Sequence, residues 1–336
     1  MRSIPVGIGF AAILEVALAM SLVGGAARPA RAEPPTAGGD TLTTLERALL
    51  FQDLSILAHD SMEGRGAGTE GIERARHFLV AAFPERGLSP LAGQSLQEFH
   101  FSGAPGGGNE VTGANVLGVV RGSVRPGRFL VISAHYDHLG IRGGRIYPGA
   151  DDNASGTAAL LALASELSEN PPLHSVLFVA FDAEESGLRG SHAFVSDLPI
   201  PLDSIVLNVN LDMVSRSAVG ELYAVGTHHY PFLRELVEAV AAQSRVTLLL
   251  GHDEPGLPPG DDWTLASDHG AFHQQGIPFI YFGVEDHAGY HQPTDTVENI
   301  TPEFYVRAVE TVLDFIREAD ALGDEILARR AGGASR

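Results

Sequence analysis

RFLVISAHYDHLG (residues 128–140) and SVLFVAFDAEESG (175–187) share one pattern: an apolar run free of charge, followed at once by carboxylates or histidines. Runs of this length read as strands, and runs without polar alternation read as strands buried on both faces, the habit of parallel sheets. Between them, Ala154 to Leu167 has the length and composition of a helix and ends before Pro171-Pro172. Strand, helix and strand in this order predict a sheet covered by crossover helices. Working outward, Ile205 to Leu211 and Ile277 to Phe282 read as further buried strands and Glu221 to Val225 as an edge-like one. Leu188 to Val195 and Phe232 to Ala242 read as helices, and Pro302 opens a final helix running to about Leu327. Upstream, Leu42 to Leu57 and Ile72 to Phe83 have helical spacing, the second stopping at Pro84, while Gln97 to Phe101 and Asn115 to Val120 alternate like strands around the loop Ala104 to Gly108. The expected fold is a single α/β domain over 45–327, with a central mixed, mostly parallel sheet and helices on both faces, a linker at 33–44 and a frayed tail at 328–336.

The 336 residues carry 22 basic and 42 acidic side chains, a net charge of −20 and a pI near 5.0. All the basic residues are arginines, scattered singly, so nucleic acid is not an expected partner, because binding it needs a clustered basic face. With no cysteine, disulfides, thiolate nucleophiles and Cys-type zinc sites are excluded together, and any metal falls to His, Asp or Glu. Arg2, an apolar stretch from Ile4 to Ala27 and the A-x-A pattern Ala30-Arg31-Ala32 predict a signal peptide over 1–32. That places the remainder in a periplasm or outside the cell, without stable membrane association after cleavage. Glu15 inside the apolar run is the feature that fits an export signal least, and an uncleaved membrane anchor is the rival reading of this segment.

The polar residues cluster just past the strand ends, where ligands of open α/β sheets bind. His135-Tyr136-Asp137-His138 follows one strand, Asp182-Ala183-Glu184-Glu185 another, Asp212 a third, and Glu285, Asp286, His287 and His291 follow a fourth. A ligating imidazole commonly donates its other N–H to a carboxylate, which suits His135 with Asp137. Pro148-Gly149-Ala150-Asp151-Asp152-Asn153 puts two carboxylates in a Gly-bounded turn before a helix, and an N-cap accounts for only one of them. The adjacent Glu184 and Glu185 point different ways from one turn, so one can hold metal while the other serves as general base. His135, Asp152, Glu185, Asp212 and His291 together make a donor set suited to zinc, with Co²⁺ or Mn²⁺ fitting less well. Charge balance favours two Zn²⁺: three carboxylates and a bridging hydroxide neutralise two ions but over-neutralise one.

SAHYDHLG (133–140), PGADDNASG (148–156), AFDAEESGLRGS (180–191), NVNLDMVSR (208–216), ASDHGAF (266–272) and GYHQPTDT (289–296) occur in one order. In that order they resemble the co-catalytic zinc aminopeptidases, a family of bacterial secreted and vacuolar exopeptidases related to glutaminyl cyclase and glutamate carboxypeptidase. LAHDSMEGRGAGTEG (57–71) is similar to the N-terminal part of bacterial members. The resemblance, covering about 45–325, implies a phosphorylase/hydrolase-like zinc exopeptidase architecture. It implies that Asp152 bridges two zinc ions, that Glu185 and His291 complete one site, and that His135 and Asp212 complete the other. It further implies that a zinc-bound hydroxide is the nucleophile with Glu184 as the general base that takes the proton of the bound water, that Asp137 orients His135, and that Asp268 is an outer partner of the Glu184 region. The tyrosine that some members use to hold the oxyanion is not evident among Asp261 to Ala266. His287, His138 and Tyr290 are candidates for pocket lining.

The expected activity is removal of N-terminal residues from peptides with a free N-terminus, with Asp151, Asp182 or Glu285 available to hold the substrate ammonium. A carboxypeptidase would need a cationic clamp, for which Arg142, Arg145, Arg189 and Arg216 lie near motif ends. A glutaminyl cyclase on the same scaffold would work with one zinc.

Overall fold

A computed structural model describes residues 42–102, 109–258 and 260–333. The expected signal segment, most of the linker and the loop at 104–108 fall outside the described residues. The helices are α1 (Thr44–Leu57), α2 (Glu70–Glu85), α3 (Gly156–Glu169), α4 (Arg189–Ser196), α5 (Arg234–Ala241), α6 (His269–Gln274), α7 (Pro302–Ala321) and α8 (Gly323–Gly333). The strands are β1 (Leu96–Ser102), β2 (Glu110–Val120), β3 (Arg125–His135), β4 (Ile141–Arg142), β5 (Arg145–Ile146), β6 (His174–Phe181), β7 (Ile205–Leu211), β8 (Glu221–Val225), β9 (Thr247–Leu250) and β10 (Phe279–Gly283). Eight strands form one sheet in the order β1-β2-β6-β3-β7-β10-β8-β9, and β4 and β5 pair apart from it. The four central strands β6, β3, β7 and β10 are mutually parallel, while β2 and β8 run antiparallel to their central neighbours.

Burial explains why the parallel strands read as continuous apolar runs. Every residue of β6 and β7 is buried, and the period of two sends alternate side chains to two separate cores. From β3 and β6, Leu130, Ile132, Val176 and Phe178 enter the larger core with α1, α3 and α7. Val131, Leu177, Val179 and Phe181 enter a second core with Phe194 of α4 and Phe272 of α6. Helices therefore cover both faces of a single α/β domain.

Three expectations change. The final helix is two: α7 stops at Ala321 with Leu322 as its cap, and Gly323 opens α8, where a Cβ would lie 2.6 Å from the His174 ring. The helix α8 runs to Gly333, so residues 328–333 of the expected frayed tail are helical. The helix α2 passes through Pro84 and ends one residue later at Glu85; the proline, with no N–H for the carbonyl four residues back, marks its last turn rather than the residue beyond its end. Strand β9 and helix α6 were not anticipated, and because β9 pairs on the outer side of β8, the strand expected to be edge-like is an inner one. No described helix is long and apolar enough to cross a membrane.

Candidate metal centre

The carboxyl ends of the central strands carry the centre. On β3, Ser133 and His135 share a face; on β7, Asn208 and Asn210 share that face with Asp212 just beyond, and Ser133 pairs with Asn210. A buried chain of hydrogen bonds runs beneath: Asn208 donates to Ser133 Oγ, which donates to Asn210, whose amide donates to Ser267 Oγ. Ser267 then donates to Asp212 Oδ2 at 2.7 Å, fixing that carboxylate.

The other groups arrive on turns held by buried polar side chains. The carboxylate of Asp295 accepts the backbone N–H groups of Asp151 and Asp152 at 3.0 to 3.1 Å. The guanidinium of Arg65, wholly buried, donates to the carbonyls of Leu57, Tyr136, Pro148 and Gly149 at 2.6 to 2.8 Å, tying the 135–138 and 148–152 turns together. Asp137 accepts the N–H groups of Glu184 and Glu185 at 2.9 and 3.2 Å. Ala183, Met213 and His291 have φ of 58°, 58° and 52°, the left-handed region that non-glycine residues occupy at a cost and mostly at functional sites.

These turns converge. His135 Nε2 lies 3.2 Å from Asp212 Oδ1 and 3.4 Å from Asp152 Oδ1. His291 Nε2 lies 3.1 Å from Asp152 Oδ2 and 3.3 Å from Glu185 Oε2. Donors about 2.0–2.1 Å from one tetrahedral zinc stand roughly 3.3 Å apart, so the four separations suit shared ions, with Asp152 offering one oxygen to each side. Asp152 Oδ2 and Glu185 Oε1 are buried and make no hydrogen bond among the described residues. Buried carboxylate oxygens without donors call for a cation, and the donor set fits zinc.

The electrostatics are those of crowded acids. Burial pushes the Glu184 carboxyl well above its usual range; His135 opposes this, and Asp212, Asp268 and Glu185 add to it. Burial raises Asp212 in the same way and takes Asp268 up to about 7. Burial disfavours a protonated His291, yet its contacts with Asp152 and Glu185 hold it up at about 10. A bound cation reverses this logic by favouring ionised carboxylates and neutral imidazoles.

A cavity of about 290 Å³ opens here, lined by His135, Asp152, Glu184, Glu185, Asp212 and His291. Of the five expected metal ligands and the two expected catalytic residues, only Asp137 stands back from it; its carboxylate holds the Glu184–Glu185 turn, with Oδ1 3.6 Å from His135 Nδ1 and its backbone carbonyl nearer that nitrogen at 3.1 Å. Asp268 is fully buried close enough to influence Glu184. Of the pocket candidates, Tyr290 lines the cavity, whereas His287 turns to Asp151 at 3.0 Å and His138 lies beneath, against Glu185. The acids expected to meet an ammonium are engaged elsewhere. Asp151 accepts from Ser215, Asp182 accepts the Ala114 N–H, and Glu285 pairs with His252. The wall instead holds Asp286, together with Met213, Trp263, Tyr281 and Val284. Asp286 belongs to the polar group expected after the fourth strand, but no spacing in the sequence singles out Met213, Trp263, Tyr281 and Val284, which come from separate loops and from β10.

The pattern described as Peptidase family M28 matches residues 115–316. Aminopeptidase YwaD of Bacillus subtilis is 32% identical over 221 residues, covering 62% of this chain and 45% of that protein. The chain spans about half the length, or less, of several curated relatives it matches. Among solved structures, a zinc aminopeptidase from Bacillus subtilis superposes with a TM-score of 0.68 at 19% identity, covering 81% of this chain and 95% of that one. The glutaminyl cyclase of Porphyromonas gingivalis superposes with a TM-score of 0.65 at 18% identity, covering 83% and 99%. At such identities the superpositions speak for the fold alone.

Proposed function

The chain belongs to peptidase family M28, and from that premise we propose that it is a di-zinc aminopeptidase that releases N-terminal residues from peptides. The observation carrying this reading is the pairing of two donor clusters through Asp152 in a cavity whose described wall has an unattached acid, Asp286, and no arginine. Arg142, Arg145 and Arg189 reach Leu139, Tyr147 and Ser186 in their own loops, and Arg216 packs against Gly289; none of the four lines the described cavity wall, where a clamp for a substrate carboxylate would stand.

His135, Asp152 and Asp212 would hold one zinc ion, and Asp152, Glu185 and His291 the other. When bound, the ions supply Lewis acidity that makes water nucleophilic near neutral pH and polarises the scissile carbonyl. Glu184, presented to the cavity by the turn that Asp137 holds, takes the proton from the attacking water. It then delivers that proton to the departing amine, so the carboxylate is regenerated as the C–N bond breaks. Tyr290, stacked on His291 with ring centroids 3.9 Å apart, brings a phenol O–H to the same wall, a donor for the carbonyl oxygen as it gains charge. Asp286 receives the substrate ammonium.

An aminoacyl-anilide and its N-acetylated twin test the reading. The free amine is expected to be cleaved at least tenfold faster, with an advantage that shrinks at high salt because the attraction is electrostatic. Equal cleavage of the acetylated compound would replace the aminopeptidase with another amidohydrolase. A glutaminyl cyclase would instead release ammonia from an N-terminal glutaminyl peptide without cutting the chain.

A further inference from the structure

The stretch SAHYDHLG contains a second histidine to which no role has yet been given. His138 follows β3 in a turn whose backbone is pinned to the 64–66 segment: its N–H donates to the Arg65 carbonyl at 3.1 Å, and Gly140 N–H donates to the Gly64 carbonyl at 2.9 Å. Its side chain is fully buried. The ring is wedged against Gly149, where a Cβ would stand 2.5 Å from Cγ and Cδ2, so the PGADDN turn and the histidine constrain each other.

The ring nitrogen Nδ1 lies 2.8 Å from Glu185 Oε1 and 3.6 Å from Asp152 Oδ2. Despite these separations, Nδ1, Glu185 Oε1 and Asp152 Oδ2 make no hydrogen bond among the described residues; the close contact is not aligned for one. Leaving a buried polar group unsatisfied costs about 1–3 kcal/mol, and three such atoms facing one another point to a missing common partner. A proton on Nδ1 would answer only the Glu185 oxygen, and from a poor angle. A cation would answer all three.

We infer that His138 is a further protein ligand of the ion that Glu185 and His291 would hold, giving that site four protein donors against three for the site of His135, Asp152 and Asp212. This rests on the two-ion reading above. Sites closed by four protein ligands are the structural kind, and sites with three keep a position for water or substrate. The two ions are then unequal: the first equivalent fills the His138 site tightly, and the second, weaker one completes the centre.

The test uses the full chain, stripped by a chelator and titrated with Zn²⁺ against a chromophoric competitor. The wild type is expected to bind two equivalents with affinities at least about tenfold apart, and His138→Gln to weaken the tighter one by at least about tenfold. Unchanged affinities in a folded His138→Gln or His138→Ser protein would overturn the inference and leave the two-ion reading standing. A wild type that binds one ion or none would overturn both. A measurement on the wild type alone needs no variant. With one equivalent of Co²⁺, paramagnetically shifted exchangeable imidazole protons count the histidines on the tight ion; two are expected, and one overturns the inference.

Discussion

Glu184 and Glu185 are neighbours in the chain with different surroundings, and the difference comes from the turn they share. Asp137 fixes both backbone N–H groups, Glu185 meets His291 and His138, and Glu184 stands free of those histidines among Asp212 and Asp268. Replacing Glu184 by Gln keeps the shape and removes the base. Metal content should stay at the wild-type value while kcat falls by about 10²-fold or more. A near wild-type kcat in the metal-loaded variant would assign the proton to another group. On the proposed reading Asp286 acts on binding instead. It is exposed, so its attraction to an ammonium is screened by water and worth about 1 kcal/mol or less. Asp286→Asn should raise KM for free-amine substrates about fivefold with little change in kcat, and a kcat effect without a KM effect would count against the assigned role.

Among the elements, the segment between α1 and α2 shows how a stretch far from the chemistry sets it. The residues EGR at 63–65 close the short helical segment Asp60–Arg65 in left-handed backbone conformations, and from there Arg65 reaches four carbonyls, two of them in the turn that delivers Asp152. Removing this guanidinium leaves four buried acceptors without their donor, and burial already lowers its pKa to about 10. Arg65→Met should therefore cost at least about 3 kcal/mol in denaturant unfolding. Arg74→Met, whose pairs with Glu63 and Glu70 are exposed, should stay within about 0.5 kcal/mol. A mild Arg65 effect would mean that the carbonyls find other donors. The arginine was visible inside LAHDSMEGRGAGTEG as part of a resemblance, but its partners were not, since they lie 8, 71, 83 and 84 residues away along the chain.

For the whole molecule, the decisive quantity is negative charge gathered at one end of a sheet inside a chain of net charge −20. Asp152, Glu185 and Asp212 approach one another through shared histidines, and their mutual repulsion is relieved by cations. Stripping metal with a chelator should lower the Tm by several degrees and zinc should restore it, because a ligand at about 100 times its Kd contributes roughly 2.7 kcal/mol. An unchanged Tm would mean that the centre binds no ion with useful affinity. The α/β class, the strands at 205–211 and 221–225 and the gathering of His135, Asp152, Glu184, Glu185, Asp212 and His291 at one end of the sheet were legible in the sequence. Apolar runs of strand length must be buried on both faces, and polar groups directly after such runs must gather at the strand ends. The division of α7 from α8, the carboxylate of Asp137 turning to the Glu184–Glu185 backbone, the wall supplied by Trp263 and Val284, and the burial of His138 against Gly149 were decided by tertiary structure alone. Each depends on which distant loop fills the space beside a residue, and periodicity along one chain carries no record of that.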